Sequence, residues 1–552
     1  MVRKQLIQKK KMIRTVGVLA AMLVMLGGCS QKKSESNSTQ AKETGLSGEE
    51  LTMTNPMDQQ KQVDDSLKKE LEQGYSFDKP LIVLDPYGNS PLSAVAIFTT
   101  EDKTAITLTV KGKEAKDRVT QTFEAGTEHI LPIYGLYAGR ANEVVLKTED
   151  GRETTVSVET DTLAFDPGKI EVRMEQEALY DYGQFTFVSN VGGYMYALDS
   201  KGDVRFYRKG LGMPLKQLKN GHIMYCSSTT LKGNYYQSGL VETDLLGKIY
   251  KEYVIPGGIH HDFFEMDNGN LLVSSDAPDF SSVEDYVVEI DRETGKVVYE
   301  LDMKKLLDPK DGGSINRTDE DWFHNNGIWY DEETDTILLS ARHVDAIVGI
   351  DKSDKKLSFI LGDPDGWENV DKSLFFTPTG EDFEWQYAQH QVSLRPDGTI
   401  LMFDNGAGRT KATKKDQKVT KDQVYSRAVA YKADRKTMTI EQVFEYGKER
   451  GKDWYSEWIS GVVCLNLDAN HLWITSGAHL YNPENKSCDY GPDDMFQEGL
   501  EKSTIMTELK DGKPVIEIQA GSLSYRSIRM PMYWDEKGLN LASEGKYLGS
   551  RF

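Results

Sequence analysis

Three histidines open three successive copies of one β-repeat. His261 begins HDFFEMDNGNLLV, with the turn glycine Gly269 eight residues on. His390 begins HQVSLRPDGTILMF, with Gly398 again eight residues on, and His324 begins HNNGIWYDEETDTILLS, the same rhythm with Glu-Thr in place of the glycine. Equivalent positions in successive repeats come to equivalent places around an axis. If the repeats close into a propeller, the three imidazoles converge on its central channel. Other polar groups cluster beside them. Asn326 follows His324 by two and so shares its face of a strand. Arg342-His343 ends the partner strand TILLSARH, Gln389 precedes His390, and Asp404-Asn405-Gly406 reads as a turn closing that hairpin before Arg409. His260 precedes His261, and strand neighbours point to opposite sides, so without a bulge only one of them faces a shared ligand. Trp322, Trp385 and Tyr387 flank the hairpins as packing residues or as a wall for an aromatic ligand.

Three convergent histidines invite zinc. No carboxylate or cysteine accompanies them in register, however, and an arginine beside a dication is unfavourable, so the reading is a site without metal. The set suits a tetrahedral oxyanion. Arg342 grips it bidentately, and Asn and His donors stabilise charge on its oxygens in the transition state. One imidazole attacks the central atom and forms a covalent intermediate.

The elements that position these groups are strands. From Lys79 to about Val158 the chain alternates in short runs (LIVLDPYG, AVAIFTT, AITLTV, VTQTFEA, HILPIYGLY, NEVVLKT, TTVSVET), about seven strands of an immunoglobulin-sized β-sandwich. Beyond Pro167-Gly168 a strand–turn–strand phrase recurs six times, from YALDSKGDVRFY to MTELKDGKPVIEI. Taking Asp199, Asp244, Asp291, Asp351, Lys432 and Leu509 as equivalents, the intervals are 45, 47, 60, 81 and 77 residues. The first two match a four-stranded blade, and the others need insertions such as 308–321, 363–385 and 409–421. Five further hairpins lie between the six phrases. The expected fold is all-β, an N-terminal β-sandwich followed by a six-bladed β-propeller. The expected domains are a lipoprotein signal peptide at 1–28, a polar tether at 29–65, the sandwich at 66–166 and the catalytic propeller at 167–552. A short helix is expected over 61–73.

The chain has 552 residues, too many for one ordinary core. Its basic start and the apolar stretch Val16–Leu26 read as a targeting segment. Leu26-Gly27-Gly28-Cys29 then resembles a bacterial lipobox, with Cys29 as the lipid-modified N-terminus on a polar tether. That reading puts the protein outside the cytoplasm, anchored to the cell membrane. Without residues 1–28 there remain 60 basic and 87 acidic side chains, a net charge of −27. Such a surface excludes nucleic acid as a partner and requires a local positive pocket for any anionic ligand. After Cys29 only Cys226, Cys464 and Cys488 remain. They make no disulfide framework and no zinc pattern, and the sequence does not decide whether Cys464 and Cys488 pair.

The run from HHDFFEMDNGNLL through DWFHNNGIWYD and SARH to QHQVSLRPDGTILMFDNG resembles the bacterial aryl-sulfate sulfotransferases, and the likeness covers about residues 75 to 535. It implies a β-sandwich followed by a six-bladed propeller with the site in the central channel. It also implies a ping-pong transfer from an aryl sulfate donor to a phenolic acceptor, with no cofactor. The resemblance places the nucleophile at His390 and sulfuryl binding at His324, Asn326 and Arg342. It places the His-His-Asp motif at His260, His261 and Asp262, where the register favours His261 as the inward residue and leaves His260 open. A histidine other than His390 protonates the leaving phenolate and deprotonates the acceptor. Paired cysteines that some members carry before the nucleophile are missing. A further sulfuryl-contacting hydroxyl is left among Thr475, Ser476 and Tyr525. Members are often dimers, and a homodimer is left open.

Two rivals make different predictions. A non-catalytic propeller lipoprotein serving as a binding platform forms no covalent intermediate. A metal-dependent propeller hydrolase loses activity on chelation. Neither a Cys/Ser-x-Pro-x-Arg sulfatase motif nor a P-loop is found in the sequence.

Overall fold

The computed structural model describes residues 56–549, apart from 211, 228–236, 278–280, 316, 412–413, 415–416, 419, 421–422, 486 and 488–490. The leader, Cys29 and Cys488 lie outside the described residues.

The chain begins with helix α1 (Pro56–Leu71), longer at its start than expected. Five strands follow: β1 (Leu81–Leu84), β2 (Ala94–Val110), β3 (Val119–Ile133), β4 (Ala141–Thr148) and β5 (Glu153–Glu159). The expected seven become five because β2 and β3 each run through two of the sequence runs. The first half of β2 pairs with β1 and β3, and its second half pairs with β3 and β4. The polar stretch Glu101-Asp102-Lys103 shifts the register between Thr99 and Thr104 without ending the strand. Period-2 burial along Ala105–Val110 places Ile106, Leu108 and Val110 inside.

Six sheets of four or five strands follow, each mainly antiparallel. They are named here in the order of their second strands. Blade 1 is Ser524–Pro531, Gln184–Asn190, Tyr194–Leu198 and Val204–Lys209. Blade 2 runs from Lys216–Gln217 to Ile249–Ile259, with Lys546–Gly549 added in parallel. Blade 3 runs from Phe263–Glu265 to Val297–Asp302, blade 4 from Asn325–Asp331 to Lys356–Leu361, blade 5 from His390–Leu394 to Thr439–Tyr446, and blade 6 from Gly461–Cys464 to Lys513–Ala520. The recurring phrases are the outer two strands of each blade, and the five hairpins are the inner two of blades 2 to 6. The sixth inner hairpin joins the two ends of the propeller: Ser524–Pro531 pairs with Gln184–Asn190. In return, Ile170–Met174 adds a fifth strand to the outer edge of blade 6.

The N-terminal domain shares a core with blade 1: Val119, Leu131 and Leu136 pack in one buried cluster with Phe185, Tyr196 and Phe206. Helix α1 is held to blade 2 by polar contacts. Lys248 Nζ is 2.8 Å from Asp64 Oδ2 with both side chains buried, Tyr87 donates its hydroxyl to Asp64 Oδ1 at 2.6 Å, and Gln60 brackets Ile249 with its amide oxygen and nitrogen.

Candidate active site

The three histidines sit at the starts of the innermost strands of blades 3, 4 and 5. His261 lies two residues before Phe263, His324 lies one before Asn325, and His390 is itself the first strand residue. Their rings meet. The centroids of His261 and His324 are 4.9 Å apart, and those of His324 and His390 are 6.5 Å apart. The inner strands of blades 4 and 5 approach closely because Gly327 has no side chain; a Cβ there would lie 2.6 Å from Gln391 Cα.

Simple strand alternation does not describe this rim. His261 (φ 51°) and His324 (φ 54°) are both left-handed, a conformation costly for residues other than glycine and frequent where function constrains the backbone. The expectation that His324 and Asn326 share a strand face is therefore corrected: His324 lies outside the strand, which is irregular between Asn325 and Ile328. Asn326 donates its amide to Gln389 O at 2.9 Å and is fully buried, and its Oδ1 has no partner among the described residues. The same left-handed turn brings His260 and His261 together rather than to opposite sides, with Nδ1 to Nδ1 3.1 Å. His261 is the one beside His324 and Tyr525 (5.9 Å), while His260 lies behind it with Nε2 donating to Ser275 O at 3.0 Å.

Hydrogen-bond partners fix the protons. Burial, more than any neighbour, lowers His260 to about 3, so it is neutral and its Nδ1 accepts from His261. Burial and then the His324 charge hold His261 well below the usual histidine range, which leaves a lone pair on its Nε2. His390 is also neutral, through burial and then Arg342 and His324. Its Nδ1 donates to Asn405 Oδ1 at 2.7 Å. Asn405 can only accept there, because its amide donates to Ser456 O (2.7 Å) and Ile459 O (2.9 Å). The lone pair of His390 is thus on Nε2, where the backbone N–H of Ile459 meets it at 3.1 Å. The turn reading of Asn405 missed this orienting role.

His324 differs. Burial opposes its charge, but Asp321 and Glu284 outweigh burial and raise it to about 9. Its Nδ1 lies 2.8 Å from Asp321 Oδ2 and 2.7 Å from Glu284 Oε2. The two acids respond in opposite directions. Burial pushes Glu284 up, whereas His324 and His343 overcome burial at Asp321 and hold it well below the usual carboxylate range. Asp321 is the stronger acid of the two and takes the His324 Nδ1 hydrogen bond, and the three groups titrate together.

Arg342 is buried, donates Nη1–H to His343 Nε2 at 2.8 Å and has no partner for Nε among the described residues. Arg526 in blade 1 was not foreseen. It is buried, donates to Asn326 O at 2.5 Å, and lies 3.1 Å from Asp262, which Lys216 also holds at 2.6 Å. Its charge is felt at both His261 and His390. Buried guanidinium N–H groups without partners fit an anion. Of the hydroxyl candidates, Thr475 bonds Ser527 and Ser476 bonds Trp454 O; only Tyr525 lies at the rim, with its hydroxyl on His261 O at 3.1 Å. Trp322 is buried and bonded to Asp285, and Trp385 packs in the cluster between blades 4 and 5, so both are packing residues.

No carboxylate lies in register with the histidines, but Glu284 and Asp321 reach them from elsewhere in the chain. His260, His261 and Glu284, and Asp321, His324 and His343, each bring three donor atoms within 4.8 Å. Either set fits a metal poorly, because its nitrogens already have roles. His343 donates Nδ1–H to Asp321 O and accepts from Arg342, and His260 donates to Ser275 O and accepts from His261.

A family model described as arylsulfotransferase (ASST) matches residues 171–526, and one described as the arylsulfotransferase Ig-like domain matches 81–163. "Arylsulfate sulfotransferase AssT" of Escherichia coli O6:H1 is 25% identical over 529 residues, covering 73% of this chain and 85% of that protein. The protein of the same name from Lelliottia amnigena is 26% identical, covering 72% and 84%. Among solved structures, a β-propeller domain of Cps50 (Swd1) from Myceliophteria thermophila is 12% identical with a TM-score of 0.30, over 63% of this chain and 95% of that one. With its two domains matched in order and the larger match spanning more than half its length, this chain belongs to the arylsulfotransferase family.

Proposed function

We propose that the protein transfers a sulfuryl group from an aryl sulfate to a phenol through a sulfohistidine at His390. The observation that carries this is the contrast between two neighbouring imidazoles: His390 is neutral with its lone pair on Nε2, and His324 is a cation with a proton on Nε2. A nucleophile and an acid stand side by side, their ring centroids 6.5 Å apart and their planes nearly perpendicular.

In the first half-reaction the sulfate oxygens are held by Arg342 and Arg526, and His390 Nε2 attacks sulfur, displacing the N–H of Ile459. The bond between sulfur and the aryl oxygen breaks with its electron pair on oxygen. His324 Nε2–H gives that oxygen its proton, and the phenol departs. In the second, an acceptor phenol returns a proton to His324 Nε2 as its oxygen attacks sulfur, and the N–S pair goes back to His390. No cofactor is consumed. The cationic trio of His324, Arg342 and Arg526 supplies the local positive charge that the acidic surface demands. On the strength of the leader and Cys29 we assign this activity to the outer face of the cell membrane.

The test is intact mass of the purified domain after exposure to an aryl sulfate without acceptor. The expected result is one added sulfuryl group on His390, removed by phenol and absent in His390→Ala. If no adduct forms and the aryl sulfate survives with phenol present, the binding platform replaces the enzyme.

A further inference from the structure

We infer that Glu284 and Asp321 are positioning residues that hold His324 as an imidazolium, and that this device opens the site to sulfates of weakly acidic phenols. The inference rests on the sulfuryl-transfer reading above.

The geometry comes from three separate stretches of chain. Glu284 precedes the third strand of blade 3 and is left-handed (φ 60°). Asp321 ends the insertion between blades 3 and 4. His324 opens blade 4, and its backbone N–H neighbour is tied to the same place, since Asn325 N–H donates to Glu284 O at 3.0 Å. Both carboxylates converge on one nitrogen, Nδ1, at 2.7 and 2.8 Å. A single carboxylate is enough to fix a histidine tautomer. Two on the same nitrogen favour the added charge itself, so the proton on Nε2, across the ring, is kept.

The surroundings would otherwise remove that charge. His324 is enclosed by the rings of His261, His343 and His390, with Arg342 beyond His343 and Arg526 beyond His261. Every one of these is neutral or positive, and burial adds its own penalty. Among the described residues, Asp321 and Glu284 are the groups that oppose them.

The chemical consequence lies in the leaving group. A nitrophenolate departs unaided, because its charge is delocalised onto the nitro group. The phenolate of an unactivated phenol, with a pKa near ~10, needs a proton as the S–O bond breaks. An acid of similar strength gives the best match of availability and driving force, and His324 at about 9 is one. A histidine without the two acids would be deprotonated at neutral pH and useless for such donors, while still leaving nitrophenyl sulfate as a substrate.

The experiment compares kcat/KM for 4-nitrophenyl sulfate and for unsubstituted phenyl sulfate in the parent protein, Glu284→Gln and Asp321→Asn, with one saturating phenol acceptor. The expected loss is about 10²-fold for phenyl sulfate, the lower end of what a general acid contributes, and about tenfold or less for nitrophenyl sulfate, which loses only the His324 charge beside the sulfate. The alkaline limb of the phenyl sulfate profile should also move to lower pH in both variants. Melting temperature reports folding, and two variants guard against one failing to fold. Equal losses with both donors in both variants overturn the proposal and leave the sulfotransferase reading standing. Absence of turnover and of a His390 adduct in the parent protein overturns both.

Discussion

Asn405 Oδ1 accepts the Nδ1 proton of His390 at 2.7 Å, and both amide hydrogens of Asn405 are bound to the 456–459 loop, so the amide cannot flip. The proposed nucleophile is therefore fixed by a residue fifteen positions away, just past the end of the second strand of its own blade. Asn405→Leu should keep the fold and lose about 10²-fold in kcat, with KM nearly unchanged, because tautomer and orientation are lost while the arginines still bind sulfate. Asn405→Asp should behave differently: a carboxylate at Nδ1 stabilises the imidazolium, so the acid limb of the pH–rate profile should rise. An unchanged acid limb would argue against direct contact.

The pH profile of kcat/KM in the parent protein should be a broad bell for unactivated donors. His390 is lowered by burial, so it stays neutral and nucleophilic until the pH falls well below 6.5. His324 is raised to about 9, so its proton is present at neutral pH and lost as pH rises through that value. The stability signs follow the same logic. His324 contributes stability below its unfolded value near 6.5, and this is lost as pH rises toward 9. His260 and His343, lowered to about 3 and 4, cost stability as pH falls below about 6.5. Thermal melting across pH 5 to 10 should therefore decline at both ends.

Arg526→Ala should reduce kcat/KM by about 10²-fold or more, since it removes a buried charge from the sulfate and leaves Asp262 with Lys216 alone. Arg526→Lys should recover part of the loss, because charge returns without the planar fork. Steady-state rates and melting temperature on both variants check this. Full activity in Arg526→Ala would remove the residue from the site.

Lys248→Met should destabilise the protein by about 3–5 kcal/mol, because Asp64 stays buried opposite no charge. The double variant with Asp64→Leu should regain much of it. Denaturant unfolding measures both, and activity of the folded fraction should not change, since the pair joins helix α1 to blade 2 away from the histidines.

The succession of six sheets, their inner hairpins and the meeting of His261, His324 and His390 were legible because a repeat carries its own register. What the sequence hid has two causes. Glu284, Asp321 and Arg526 reach the site from other blades or from an insertion, where no periodicity points to them. Asn405 looked like a turn because Asp-Asn-Gly is turn chemistry; its side chain acts only once the 456–459 loop is folded against it. The paired contact of His260 and His261, and the displacement of His324 from the Asn326 face, escaped strand alternation because two histidines adopt left-handed backbone that no residue type announces. The merging of seven runs into five strands has another source: the charged residues 101–103 separate two apolar runs, yet one strand passes through them.

The strand Ser524–Pro531 that completes blade 1 also carries Tyr525 and Arg526 to the rim. A growing polypeptide that has reached residue 523 possesses all three histidines but neither the second guanidinium nor the strand that joins the first blade to the last. Ring closure and the second guanidinium thus arrive on one strand, so the proposed site is incomplete until the propeller closes.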